Sequence, residues 1–315
     1  MRDTGKIPVV IDCDPGYDDA IALMLAAGCG QLEILAVTAV AGNGPVDSTY
    51  RNAARVLSFL GADVPLGKGR PRPLLGDLVT SASVHGKSAM DGIALPDPVL
   101  PETPPAAFDV LTGTFLDAPQ KVTLIATGPL TNVAVALLAR PEIKEKIERI
   151  IWMGGAIAQG NITPSAEFNA YVDPEAAQIV MDSGLPLTMV GLDVTHRALI
   201  FPSQFEELRQ LGRAGELAAE ILRRYWVAYE RRGFSGVPIH DATAVAATFA
   251  QGLIKTQKAR VDVELSGGHT RGRTVVDLAG ITGREPNCYV AVDINREMFL
   301  EILLSGIRGL ADFHR

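Results

Sequence analysis

One decapeptide near the amino terminus, Ile11-Asp12-Cys13-Asp14-Pro15-Gly16-Tyr17-Asp18-Asp19-Ala20, constrains this chain more than any other segment. Four carboxylates fall within eight positions. An apolar run, Ile7 to Ile11, leads into them, and a helical pattern, Ala20 to Ala26, follows. The spacing predicts acids on a strand-to-helix turn, where open α/β folds bind ligands. Like charges packed so closely repel, and a hard divalent cation with oxygen ligands is the simplest compensation.

The rest of the chain supports an α/β reading. Strand-like runs (Leu32 to Val40, Val122 to Ala126, Arg149 to Met153, Pro186 to Gly191) alternate with helical patterns (Asp47 to Leu60, Ala106 to Leu116, Asn132 to Ala139, Pro174 to Ser183). Such alternation predicts an open, mostly parallel sheet with a Rossmann-like core flanked by helices. Later runs, Lys258 to Leu265, Arg273 to Asp277 and Tyr289 to Asp293, are expected to be partly antiparallel, and Arg296 to Ser305 to close the chain as a helix. Asp47 or Ser48 is the expected N-cap of the second helix. Val64 to Gly67 is a possible short strand, 203–232 reads as largely helical, and 68–105 as a long irregular excursion. With no linker-like break, residues 1–315 are expected to form a single domain.

Charge and composition exclude several partners. With a net charge of −7 and no Lys/Arg-rich run, nucleic acid is not expected. No apolar stretch approaches the roughly 20 residues of a membrane span. Met1 to Lys6 is polar and does not resemble a signal peptide. Cys13, Cys29 and Cys288 are scattered, which fits reduced thiols in a cytoplasmic protein. Cys13 is expected to pack in the core.

Polar residues collect where strands stop: Asp14 to Asp19, Asn43, Thr127, Gly154-Gly155 and Asp193. One or two acids could simply cap a helix; four, with two ending an apolar strand, favour metal binding or catalysis. Asp12 is expected behind the others, orienting them. A strand ending in Asp-x-Asp also opens the haloacid-dehalogenase phosphatases, but Gly16 stands where those enzymes need Thr or Val. His240-Asp241 starts a small-residue helix and offers a fifth carboxylate beside a proton donor. Asn161, Glu167 and Asn169 have the chemistry to bind sugar hydroxyls, or simply form a surface loop.

Taken together, the motif Asp12-x-Asp14-Pro15-Gly16-x-Asp18-Asp19 resembles the signature of the inosine-uridine-preferring nucleoside hydrolases. Val40-Ala41-Gly42-Asn43, Thr127 to Asn132, Met153-Gly154-Gly155 with Asn161 to Asn169, and His240-Asp241-Ala242 agree in order and spacing, over nearly the whole chain. The resemblance implies calcium-dependent hydrolysis of the N-glycosidic bond of a small-molecule ribonucleoside, giving ribose and free base. It implies that Asp14, Asp19, Asp241 and the Thr127 carbonyl hold Ca2+, with Asp14 also the base toward water. Asp18, Asn43, Asn161, Glu167 and Asn169 would surround the ribose. His240 would be the acid toward the departing base, with His85, Phe168, Tyr229 and Arg232 on the base side. Relatives of this kind are commonly homodimers or homotetramers.

Two segments depart from the family pattern. Ala89-Met90 replaces a Gly-Leu pair, and Ala228 and Arg232 stand where pyrimidine-preferring members tend to have Gln and Tyr. Base preference therefore stays open. So do a non-catalytic nucleoside-binding protein on the same fold and a hydrolase of a modified ribosyl compound.

Overall fold

The strand at Ile7–Cys13 (β1), buried from Val9 onward, is an interior strand of a nine-stranded sheet, third from one edge. The computed structural model describes residues 5–310, so the reading of Met1 to Thr4 lies outside it. The other strands are β2 (Leu32–Ala39), β3 (Leu66–Lys68), β4 (Val122–Ala126), β5 (Ile147–Met153), β6 (Leu187–Val190), β7 (Leu199–Ile200), β8 (Val237–Pro238), β9 (Ile254–Val263), β10 (Thr274–Asp277) and β11 (Cys288–Ile294). The sheet order is β10-β9-β11-β6-β5-β4-β1-β2-β3, while β7 and β8 form a separate short ribbon. From β3 to β6 every pairing is parallel. β11 adds in parallel to β6, whereas β9 pairs antiparallel with both β11 and β10. This is the mixed α/β sheet expected, with its antiparallel strands near the carboxyl terminus.

The helices are α1 (Tyr17–Gly28), α2 (Val46–Leu60), α3 (Ala82–His85), α4 (Ala107–Asp117), α5 (Thr131–Ala139), α6 (Phe168–Val172), α7 (Pro174–Met181), α8 (Leu192–Thr195), α9 (Phe205–Arg209), α10 (Gly212–Glu230), α11 (His240–Phe249) and α12 (Arg296–Gly309). They cover both faces of the sheet. Strand alternation sends Ile11 and Ile151 into a core shared with α1, α10, α11 and α12. Val10 and Ile150 face the opposite core, with α4, α5 and α7. All five residues of β4 are buried, as a central parallel strand requires.

Several boundaries differ from the sequence reading. The segment 203–232 is broken between α9 and α10, where Gly212 adopts φ +81°, a left-handed conformation that interrupts a helix. α2 begins at Val46 after Pro45 with no side-chain cap, and Asp47 forms an ion pair with Lys68 instead of capping. β9 starts four residues before Lys258, because Ile254 to Gln257 pair with β11 while Lys255 to Gln257 remain exposed and carry no apolar signal. Within the excursion, α3 is one helical turn that carries His85.

Candidate active site

β1 and β4 are neighbours in the sheet, and the strand order reverses between them. This is the topological switch point, where crossovers diverge and leave a crevice at the carboxyl ends of the strands. β1 delivers Asp14 to it and β4 delivers Thr127. Two helix N-termini converge on the same place. Asp18 and Asp19 lie in the first turn of α1, and Asp241 in the first turn of α11. Small buried residues, including Ala242 and Ala246 of α11 and Ala20 and Ala22 of α1, keep the helices close. The positive ends of two helix dipoles thus face the acids.

Carboxylate oxygens of Asp18, Asp19 and Asp241 lie within 4.8 Å of one another, and all three residues are buried. Asp19 accepts the Gly16 amide at 3.0 Å, the Asp14 amide at 3.2 Å, the Thr127 hydroxyl at 2.9 Å and the Asn43 side-chain amide at 3.2 Å. Asp14 accepts the Asn43 main-chain N–H on Oδ2 at 2.6 Å, whereas its Oδ1 is buried without a hydrogen-bond partner. Burial and the neighbouring Asp19 push the Asp14 carboxyl well above the ordinary range. Burial, then Asp18, Asp19 and Asp14, do the same to Asp241. Burial, then Asp19, raises Asp18 to about 7. Together Asp18, Asp19 and Asp241 could hold a metal ion.

Asp18 and Asp241 of this cluster line a cavity. One wall carries Asn161, Glu167, Phe168 and Asn169. Glu167 caps α6, accepting the amides of Gly155, Asn169 and Ala170 at 2.8, 2.9 and 3.1 Å, and burial raises it to about 7. Asn169 Nδ2 donates to the carbonyls of Thr127 at 2.8 Å and Met153 at 3.0 Å. Asn161 Oδ1 accepts the Phe168 amide at 2.9 Å.

Histidine and tyrosine side chains line the same cavity, beside the acids. His85 Nδ1 accepts the Tyr17 amide at 3.1 Å, so its Nε2 holds the ring proton and stands 4.0 Å from Asp18 Oδ1. Burial, then Arg232, lowers its pKa to about 3. His240 Nε2 lies 2.7 Å from the Tyr229 hydroxyl, itself 3.4 Å from that of Tyr225. Burial, then His196, His85 and Arg232, keeps His240 neutral.

A sequence model of the inosine-uridine preferring nucleoside hydrolases matches residues 9–301. The chain belongs to this family. The hydrolase is 44% identical over 307 residues to the pyrimidine-specific ribonucleoside hydrolase RihA of Salmonella arizonae, covering 96% of this chain and 98% of that one. It is 45% identical over 302 residues to the RihA of Citrobacter koseri, covering 94% and 96%. The solved structure of a purine-preferring ribonucleoside hydrolase from Gardnerella vaginalis superposes with a TM-score of 0.89 at 32% identity, covering 96% of this chain and 99% of that one.

Most residues singled out in the sequence meet in the hydrolase cavity. Asp18, Asn43, His85, Thr127, Asn161, Glu167, Phe168, Asn169, Tyr229, Arg232, His240 and Asp241 all line it. Asp14 and Asp19 lie beneath, bonded to Asn43. Asp12 is not among the residues that line the cavity: its Oδ1 accepts the Thr38 hydroxyl at 2.5 Å and Asn132 Nδ2 at 2.8 Å. It reaches the site through its main chain, whose carbonyl accepts the Thr127 amide at 2.8 Å. Cys13 is buried, its thiol donating to the Thr38 carbonyl at 3.4 Å. Ser81, Tyr225 and Ile162 also line the cavity and were not singled out. Ser81 donates to Asn43 Oδ1 at 2.6 Å. Tyr225 opens the segment 225–238, which the family resemblance places over the base.

Proposed function

We propose that this nucleoside hydrolase cleaves the N-glycosidic bond of ribonucleosides, pyrimidine ribonucleosides foremost, with calcium bound at the acid cluster. The carrying observation is one cavity that brings together buried acids and a His–Tyr pair. Asp18 and Asp241 line it above Asp19 and the unpartnered Asp14 Oδ1, and His240 bonded to Tyr229 lines it as well. An all-oxygen donor set suits a hard cation. Asp14, Asp19, Asp241 and the Thr127 carbonyl are assigned as its protein ligands, with Asp18 close enough to share them. When bound, calcium compensates the buried charge and acidifies a water molecule.

The chain's own residues account for the remaining chemistry. Asp14, oriented by the Asn43 amide, takes a proton from the attacking water. Attack on the face opposite the base inverts the anomeric carbon. Positive charge growing on the sugar is stabilised by the surrounding carboxylates. Asn161, Glu167 and Asn169 orient the ribose, with Asp18 and Asn43 opposite them. His240 and Tyr229 donate hydrogen bonds to the departing base, beside His85, Phe168 and Arg232.

Pyrimidine preference is carried over from the RihA relatives at 44–45% identity. The proposal includes the cytoplasmic setting and the dimeric or tetrameric assembly expected from the sequence, which size-exclusion chromatography with light scattering addresses. The test is ribose release from uridine, cytidine, inosine and adenosine. Faster release from uridine and cytidine is the expected result, with α-ribose as the first product by NMR. A purine preference overturns the pyrimidine assignment. No release from all four points to a modified ribosyl substrate or to nucleoside binding without turnover.

A further inference from the structure

Thr195, the last residue of α8, lies behind the cavity, not in its lining. It is fully buried, and its Oγ1 stands 2.8 Å from His240 Nδ1. Among the described residues, His240 is the hydrogen-bond partner of this hydroxyl. The imidazole therefore bridges two hydroxyls, Thr195 on Nδ1 and Tyr229 on Nε2 at 2.7 Å.

A neutral ring can be arranged in two ways. If Nδ1–H donates to Thr195, the threonine hydroxyl proton is buried with no acceptor, at a cost of about 1–3 kcal/mol. Tyr229 must then spend its own proton on Nε2. If instead the Thr195 hydroxyl donates to Nδ1, no buried hydroxyl proton is orphaned. Nε2–H donates to the Tyr229 oxygen, and the Tyr229 O–H is released to donate onward, with the Tyr225 oxygen 3.4 Å away and the cavity beside it. Satisfaction of the buried donor selects the second arrangement.

We propose that Thr195 is a positioning residue that fixes His240 as the Nε2–H tautomer, so that a directed chain from Thr195 through His240 to Tyr229 presents a donor to the departing base. This rests on the assignment of His240 and Tyr229 to the departing base. A neutral histidine held as an N–H donor is an established way to stabilise developing negative charge, and a wrong tautomer removes that stabilisation with little change in structure.

The experiment pairs kinetics with spectroscopy. In Thr195→Val, kcat on uridine is expected to fall about 10- to 100-fold, comparable to loss of one donor to developing charge. Cleavage of nitrophenyl riboside, whose leaving group needs no donor, is expected to stay within about two-fold of wild type. Thr195→Ser restores uridine turnover. Imidazole ¹⁵N NMR of the calcium-loaded wild type is expected to show the His240 proton on Nε2. A proton on Nδ1, or equal losses on both substrates, overturns the proposal. The spectrum needs no variant to fold. It also separates the two readings: if the wild type releases no ribose while Nε2 holds the proton, the functional reading fails and the tautomer assignment stands.

Discussion

The main-chain N–H of Asn43 donates to Oδ2 of Asp14 across 2.6 Å, while Oδ1 of the same carboxylate is buried with no partner. One oxygen is fixed by the loop after β2, and the other is left for chemistry. Asp14→Asn is therefore expected to keep the fold, because the amide is nearly the same shape. Turnover should fall by about 10³-fold or more, since both a base and a cation ligand are lost. Circular dichroism with steady-state kinetics checks this, and a near-normal rate would remove Asp14 from its role.

Gly42 keeps that carboxylate in place by having no side chain. A Cβ there would lie 2.1 Å from Asp14 Oδ2. Gly42→Ala must displace Asp14 or the loop, so calcium affinity and turnover should drop together. Calorimetric titration with calcium reads the first, and unchanged affinity would contradict the packing argument.

His240→Ala is expected to slow uridine and inosine far more than nitrophenyl riboside. Tyr229→Phe removes one hydroxyl next to the ring and should show the same pattern to a smaller degree. Comparable losses across all three substrates would argue against any role toward the leaving base.

The acid cluster also sets a pH dependence. Burial raises Asp12, Asp18 and Glu167 to about 7, and pushes Asp14 and Asp241 well above the ordinary carboxyl range. In this range the folded state binds protons that the unfolded chain has released, so stability falls as pH rises. The buried histidines act oppositely, but only below their unfolded value of about 6.5. The melting temperature of chelated protein should therefore fall as pH rises from about 6.5 through about 7, where Asp12, Asp18 and Glu167 lose their protons in the folded state, and then level off. Added calcium should recover most at the alkaline end. A chelated protein equally stable across that window would contradict the charge argument.

Much of this site is legible in the sequence because strand ends are. Asp14, Asn43 and Thr127 follow apolar strands, and Asp18, Asp19 and Asp241 open helices. What lies behind them is not legible. Thr195 and Ser81 are ordinary polar residues whose partners, His240 and Asn43, are 45 and 38 positions away. The partners of the Asp12 carboxylate, Thr38 and Asn132, are likewise set by strand and helix packing. Ala89 is a sharper case. It stands where the family pattern leads one to expect glycine, and among the described residues it is the non-glycine with positive φ, at +65°. The sequence marks the departure, and the structure shows that the left-handed turn is kept, its methyl group fully buried.

The most direct test of the account is ribose release from uridine by purified protein with calcium, after exhaustive chelation, and after calcium is restored. The account predicts turnover, its loss on chelation and its recovery with calcium, with the chelated protein still folded by circular dichroism. Undiminished turnover in protein shown to be metal-free would contradict the claim that the buried acids work by holding a cation.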